Sequence, residues 1–501
     1  MRVVVLGLDG LDFTMLPMLP SLPSNSIKVK LDSLIPLTFP SWTSIMTGVN
    51  PGKHGIYGFF KYQKVGDRWG AFAVSAYDVR YPRVHEALAL ARVPVKSLII
   101  GPMPPYPCLP CKNSDILSIT QFFKPDYTSA EVLNKLYDLK EIMSAIEALK
   151  RPNTCTALLE IASRILDAHI AALENLWSME GCYDFLWLYV NLPDTYLHRC
   201  PRALSKRNKL LKPLFDKLDV LVKKSLSLSD NLIVVSDHGF KTFRYVVRVN
   251  RILYDHGFAK AGKGGIIDVH QVGASIHRKE IIKIHPSIIP YIHRILPPSI
   301  RKLIRSFLSI TKKALHKQIT VSAPPRIDEK GSKAFMPIGS SPAIIGNIIL
   351  LNDTSIAKEV VKILKGYGID AYTANEILDG PFTPKDVVFV VQRDEYLPTS
   401  GTTYSDPIEE IPRASHERYG ILAVKFDYMR CPKDIPEILP NSVVAPLILN
   451  KLDAPLGVEM DAKNMALMIC EKDAKDVKYV RYQQLWNVYR KLLITRSKLR
   501  K

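Results

Sequence analysis

Through the first half of the chain, short apolar runs alternate with stretches of helical spacing. Residues 2–9, 96–100, 184–192 and 231–237 are each dominated by Val, Leu, Ile or aromatic side chains, the pattern of strands buried on both faces. Between them, residues 129–149, 154–177 and 202–225 repeat their apolar positions at a helical period, and residues 40–48 open another helix just after a proline. This alternation predicts a mostly parallel sheet with helices on both faces. Beyond residue 250 the pattern shifts to Gly, His and basic residues, then to Pro-punctuated helices and shorter mixed elements; residues 420–426 resume as a core-type strand and 443–452 as a helix. The expected organisation is a core in two parts, 1–252 and 401–470, interrupted by a smaller α+β unit over 253–400 and followed by a basic helix over 471–501.

With 501 residues the chain has ample length for a sizeable core. At 47% hydrophobic and 23% charged residues it has the composition of a globular protein, and no uninterrupted apolar stretch is long enough to span a bilayer. The apolar start, Met1 to Leu8, runs straight into Asp9-Gly10 without a small-residue cleavage site, so it reads as the first core strand and the protein is expected to be cytoplasmic. Seven cysteines are scattered along the chain; Cys108 and Cys111 form a C-x-x-C between prolines, where a disulfide or two free thiols are expected rather than a metal site. The net charge of +20 is concentrated: residues 278–317 carry +9 and residues 477–501 carry +8, so the rest of the chain is near neutral. The basicity therefore belongs to two appendages and not to the core.

Two Asp/His pairs carry the chemistry. Asp194 and His198 are four residues apart, which a helix would put on one face; Asp237 and His238 close the apolar run Leu232-Ile233-Val234-Val235-Ser236, at the strand end where open α/β sheets hold their sites. Carboxylates and imidazoles so grouped suit zinc or a similar divalent ion, and two groups suggest two ions. Asp9 ends the first strand and would share that rim. Thr38 stands just ahead of Pro40 at a helix start, near the positive end of the helix dipole, which favours an alkoxide or a bound phosphate. Taken alone, Thr38 reads first as an N-terminal cap or loop residue and Asp9 as a capping carboxylate.

In order along the chain stand Gly7-Leu8-Asp9-Gly10, Thr38-Phe39-Pro40 followed by Thr47-Gly48-x-x-Pro51-Gly52-x-His54-Gly55-Ile56, Pro193-Asp194-x-x-x-His198, Ser236-Asp237-His238-Gly239 and Ser415-His416. This ordered set resembles the type I phosphodiesterase/nucleotide pyrophosphatase family of the alkaline phosphatase superfamily. The resemblance implies an alkaline-phosphatase-like three-layer α/β core with a mostly parallel central sheet and an inserted smaller α+β cap. It implies that Asp194, His198 and His416 hold one divalent ion, that Asp9, Asp237 and His238 hold a second with Thr38, and that both ions are zinc. It also implies that Thr38 is the nucleophile, that a covalent phosphothreonine forms, and that the substrate is a small phosphate ester. His54 is expected to be structural.

One departure bears on substrate. Members of the family usually carry an Asn shortly after the His-Gly-Ile motif; here Tyr57-Gly58-Phe59-Phe60 follows, so monoester hydrolysis or phosphotransfer stands as an alternative to diester or pyrophosphate cleavage. A sulfatase is disfavoured, because Cys108-Leu109-Pro110-Cys111-Lys112 comes too late and lacks the Arg of that family's motif. A reading of another class comes from the appendages. Ile300, Leu303, Ile304, Phe307 and Leu308 against Arg301, Lys302 and Arg305, and Leu485, Val488, Tyr489, Leu492, Leu493 and Leu499 in the basic tail, have amphipathic spacing. Such helices fit docking on an anionic membrane or a polyanion as well as packing on the core.

Overall fold

The structure is a computed structural model that describes residues 1–262, except 120–124, 150–153, 180 and 206, and residues 327–499, except 338–346, 402–405, 428–434 and 471–473. The basic segment 278–317 and its expected helix lie outside the described residues.

A nine-stranded sheet forms the centre. In chain order its strands are β1 (Val3–Leu8), β2 (Ile27–Asp32), β3 (Ser97–Ile100), β4 (Ser114–Ser118), β5 (Asp126–Tyr127), β6 (Phe185–Val190), β7 (Leu232–Val235), β8 (Tyr419–Lys425) and β9 (Ile438–Pro440). They lie in the order β9-β2-β8-β7-β1-β6-β3-β4-β5. Five adjacent strands, β7 to β4, are parallel; β8 runs antiparallel to both neighbours and β5 antiparallel to β4. The predicted mostly parallel α/β core is therefore observed.

The uninterrupted apolar runs have a direct cause. Val4, Leu6 and Leu8 of β1 enter one hydrophobic core and Val3 and Val5 the other, so alternate side chains serve opposite faces and neither face meets water. On the first face lie α2 (Cys155–Trp177) and α4 (Lys212–Leu228); on the second lie α1 (Thr38–Thr47) and α5 (Val444–Lys451). Between β6 and α4 stands a short helix, α3 (Asp194–Arg199), and the last helix is α6 (Tyr482–Leu499).

Several element bounds differ from the sequence reading. The helical stretch 129–149 is two helices, Ala130–Leu136 and Leu139–Ala148, because the Asp138 carboxylate caps a new start by accepting from the Glu141 N–H (3.0 Å). The stretch 202–225 becomes a short turn at Pro201–Ala203 and then α4, which carries Pro213 in its first turn. α1 begins at Thr38 itself, so Thr38 is its first residue and does not precede it.

Two further sheets sit beside the core. Gly239–Arg248 pairs antiparallel with Ile408–Glu417 and parallel with Tyr396–Thr399. Within residues 327–391, the strands Ala334–Phe335, Ile348–Leu351, Val387–Val391 and Asp370–Thr373 form an antiparallel sheet in that spatial order, packed with the helix Ala357–Gly366 around a core that also takes in Ile35 and Leu37, just ahead of Thr38.

The scattered cysteines conceal a pairing. Cys155, at the start of α2, is disulfide-bonded to Cys200, which ends α3. Cys108 and Cys111 are free thiols; they donate to the Asp126 carbonyl (3.3 Å) and the His85 carbonyl (3.4 Å).

Candidate active site

Three neighbouring parallel strands deliver the acidic residues to one rim. In register, Leu8 of β1 lies beside Val190 of β6 and Gly7 beside Val235 of β7. The residues that follow, Asp9, Asp194 and the pair Asp237-His238, therefore emerge together at the C-terminal ends of the strands. The Asp9 N–H donates to the Val190 carbonyl (3.0 Å) and the Asp194 N–H to the Asp9 carbonyl (2.9 Å). Such an approach needs Gly10. It sits at φ +74°, and a Cβ there would lie 2.8 Å from the Asp194 Cβ. Ser236 holds the third strand's turn in shape: its hydroxyl accepts from the Leu11 N–H (2.9 Å) and donates to the His238 carbonyl (2.8 Å).

The two remaining imidazoles come from elsewhere. His198 follows Asp194 by one turn of α3, as its spacing predicts, with Nε2 at 3.2 Å from Asp194 Oδ1. His416 lies opposite Phe240 in the sheet beside the core, two residues on from His238. Its Nε2 is 3.3 Å from Asp194 Oδ1 and 2.7 Å from His198 Nε2, and its ring stacks on His238 with centroids 3.7 Å apart. Its Nδ1 donates to the Pro36 carbonyl (2.8 Å), which leaves Nε2 with its lone pair facing inward. His238 is oriented the same way, with Nδ1 on the Gly239 carbonyl (3.1 Å) and Nε2 near Asp237 Oδ2 (3.3 Å) and Asp9 Oδ1 (3.5 Å).

Thr38 is buried at the first position of α1. The segment around it is tied to the site on both sides, through Pro36 to His416 and through Trp42, one turn on, whose Nε1 donates to Asp9 Oδ2 (3.2 Å). Its Leu37 cap residue makes no side-chain cap bond.

Trp42 and Tyr189 were not foreseen. The Tyr189 hydroxyl donates to Asp9 Oδ2 at 2.6 Å, and its ring meets Trp42 edge-on. Together they fix one carboxylate oxygen so that the other faces the imidazoles. Gly7 makes room for this, since a Cβ there would lie 2.7 Å from the Trp42 ring.

The charges do not balance within the protein. Burial, reinforced by Asp194, pushes the Asp9 carboxyl up to about 7, and burial with Asp9 and Asp194 nearby pushes Asp237 well above the ordinary carboxylate range. Burial also drives Asp194 upward, but the His198 and His416 imidazoles outweigh it and hold Asp194 well below its usual value. Burial, aided by His416, keeps His238 neutral. At the centre, Asp9 Oδ1, Asp194 Oδ1, Asp237 Oδ2 and His238 Nε2 are buried without a hydrogen-bond partner among the described residues. Buried acceptors left unpaired are costly, and a bound cation removes that cost.

Among the described residues, two groups of donor atoms lie close enough to hold a metal ion, Asp194 with His198 and His416, and Asp9 with Asp194 and His238. The donors are carboxylate oxygens and imidazole nitrogens, a set that fits a divalent ion. Asp194 thus stands between the two groups, and Asp237 adjoins the second through His238.

His54 Nδ1 accepts from the Ile56 N–H (3.1 Å) and its Nε2–H donates to Ser44 Oγ (2.9 Å), and burial lowers it to about 3, a neutral structural side chain. Where the family usually has its Asn, the Tyr57 hydroxyl donates to the Phe382 carbonyl and the Phe59 ring packs on Phe39 with centroids 4.5 Å apart.

A family model described as type I phosphodiesterase / nucleotide pyrophosphatase matches residues 3–298. Among solved structures, phosphonoacetate hydrolase from Sinorhizobium meliloti 1021 in complex with phosphonoacetate is 15% identical with a TM-score of 0.53, covering 90% of this chain and 96% of that one. Murine ectonucleotide pyrophosphatase / phosphodiesterase 5 is 13% identical with a TM-score of 0.48, covering 91% and 95%. The former likeness shows a shared fold. Comparison with curated proteins returns no match.

Proposed function

The chain belongs to the type I phosphodiesterase/nucleotide pyrophosphatase family and is a metal-dependent phosphoesterase, and from that premise we propose that it cleaves phosphodiester or pyrophosphate bonds through a covalent intermediate on Thr38. The observation that carries this reading is the convergence of four unpaired buried acceptors, from Asp9, Asp194, Asp237 and His238, beside the start of α1.

Two divalent ions, with zinc the favoured species, would be held by Asp194, His198 and His416 on one side and by Asp9, Asp237 and His238 on the other. When bound they supply positive charge that favours ionisation of a nearby hydroxyl and neutralises the phosphoryl oxygens. The Thr38 hydroxyl loses its proton to solvent water and its oxygen attacks phosphorus, the P–O bond to the leaving group breaks with its electron pair going to the leaving oxygen, and a phosphothreonine forms. Water then attacks the same phosphorus, the P–O bond to Thr38 breaks, and the hydroxyl is restored. The positive end of α1 faces the reacting group throughout, and Tyr189 and Trp42 keep the Asp9 carboxylate aimed. Phosphoryl transfer asks mainly for positioning and charge stabilisation, so no side-chain general base is assigned.

The test pairs activity with metal content. Thr38→Ala should abolish turnover of a nitrophenyl diester while elemental analysis finds its divalent metal retained. Wild-type turnover in that variant would overturn the role of Thr38. A monoester turned over faster than the diester would move the reading to monoester chemistry.

A further inference from the structure

We infer that the outward face of α6 is a docking surface for an anionic lipid bilayer. The sequence suggests one apolar face for this helix, but the structure divides its apolar residues between two. On the inner side Tyr482 and Trp486 are fully buried, and Tyr489 and Leu493 pack beside Trp486. Side-chain hydrogen bonds fasten this side to the core: Tyr482 hydroxyl to the Pro455 carbonyl (2.9 Å), Gln483 Nε2 to the Arg80 carbonyl, Trp486 Nε1 to the Val79 carbonyl (3.0 Å), Tyr489 hydroxyl to the Pro110 carbonyl (3.0 Å) and Arg490 Nη1 to the Tyr77 carbonyl (2.6 Å). On the opposite side Leu485, Val488 and Leu492 are 44%, 63% and 63% exposed. Their spacing of three and four residues lines them up as one stripe.

The exposure of this stripe is built in, because the inner side holds the helix in place along three turns. Its surroundings decide the partner. Exposed Arg481 and Lys491 border it, and from residue 477 to 501 the chain carries eight Lys/Arg and no Asp or Glu. A basic rim around an aliphatic stripe matches the boundary between anionic headgroups and acyl chains, where the apolar side chains enter and the cations stay with the phosphates. Nucleic acid is a poorer fit, since single strands are gripped by aromatic stacking platforms and this stripe offers only Leu and Val. No helix among the described residues is long and apolar enough to cross a membrane.

Co-sedimentation of the full chain with vesicles tests this, independently of the Thr38 chemistry. The protein should bind vesicles of phosphatidylcholine mixed with phosphatidylglycerol at low salt, and bind phosphatidylcholine alone at least ~10-fold more weakly, with high salt weakening the former. The triple variant Leu485→Ser/Val488→Ser/Leu492→Ser should bind at least ~100-fold more weakly, as expected when three apolar side chains no longer leave water. Its melting temperature and its turnover of a soluble nitrophenyl diester should equal those of the wild type. Lys491→Glu should weaken binding to the anionic vesicles only. Failure of the wild type to bind anionic vesicles at low salt would overturn the proposal, as would equal binding by the triple variant. A wild-type dimer that the triple variant dissociates would overturn it too, by assigning the stripe to a second copy of the chain.

Discussion

Asp9 shows how a single carboxylate is made ready for a cation. Tyr189 and Trp42 occupy one of its oxygens and leave the other bare at the centre of the site. Removing such a supporting bond costs roughly 10- to 100-fold in metal affinity, so Tyr189→Phe should weaken divalent metal binding by about that factor in titration calorimetry while leaving the fold intact. The metal-free protein should also respond to pH in a defined direction. Asp9 rises from 3.8 to about 7 on folding, and burial with Asp9 and Asp194 nearby raises Asp237 in the same direction. The folded state therefore holds protons that the unfolded state has lost, and their contribution to stability is present below about pH 4 and disappears as pH climbs through about 7. Asp194 is depressed, so its contribution is present above about pH 4 and is lost below. Melting temperatures in chelator should fall from pH 5 to 7, and metal binding across that range should release protons; a rise in melting temperature would contradict the charge assignment. The candidate metal-holding residues could be picked out in the sequence because each sits in a short local motif. Tyr189 and Trp42 were not, since what joins them to Asp9 is the register of β1 with β6 and the packing of α1 over Gly7.

At the scale of elements, the turn after β1 matters most. Gly10 takes a left-handed backbone and lets Asp194 approach Asp9. Gly10→Ala adds backbone strain of about 1–3 kcal/mol and forces the two turns apart, so a lowered melting temperature should accompany a larger loss of metal affinity. Thermal melts and metal titration would check both, and unchanged affinity would show that the close approach is dispensable. The buried strands were readable because covering both faces makes a strand continuously apolar. Helix bounds were less readable: Asp138 starts a new helix inside one periodic stretch, and Thr38 begins α1 without any capping side chain to mark the start. The Cys155–Cys200 bond, which anchors the end of the ligand-bearing α3, escaped because scattered cysteines have no spacing that names their partners. In α6, residues 485, 488, 489, 492 and 493 cover so wide an arc that periodicity alone merged its two faces.

For the whole molecule, the site is an assembly of distant segments. Residues 9, 194–198, 237–238 and 416 meet only because β1, β6 and β7 are neighbours and Ile408–Glu417 folds back against Gly239–Arg248. The order of motifs along the chain announced this meeting; the central position of Asp194, which adjoins both groups of ligands, required the fold. Chemistry and docking occupy different parts of this architecture, so each can be removed by substitution without the other. The most direct test of the central claim is acid-quenched turnover of a diester followed by peptide mass spectrometry. A phosphoryl adduct should appear on the peptide containing Thr38 and be absent from Thr38→Ala and from metal-stripped protein. An adduct on another residue, or steady turnover by Thr38→Ala with no adduct, would contradict it.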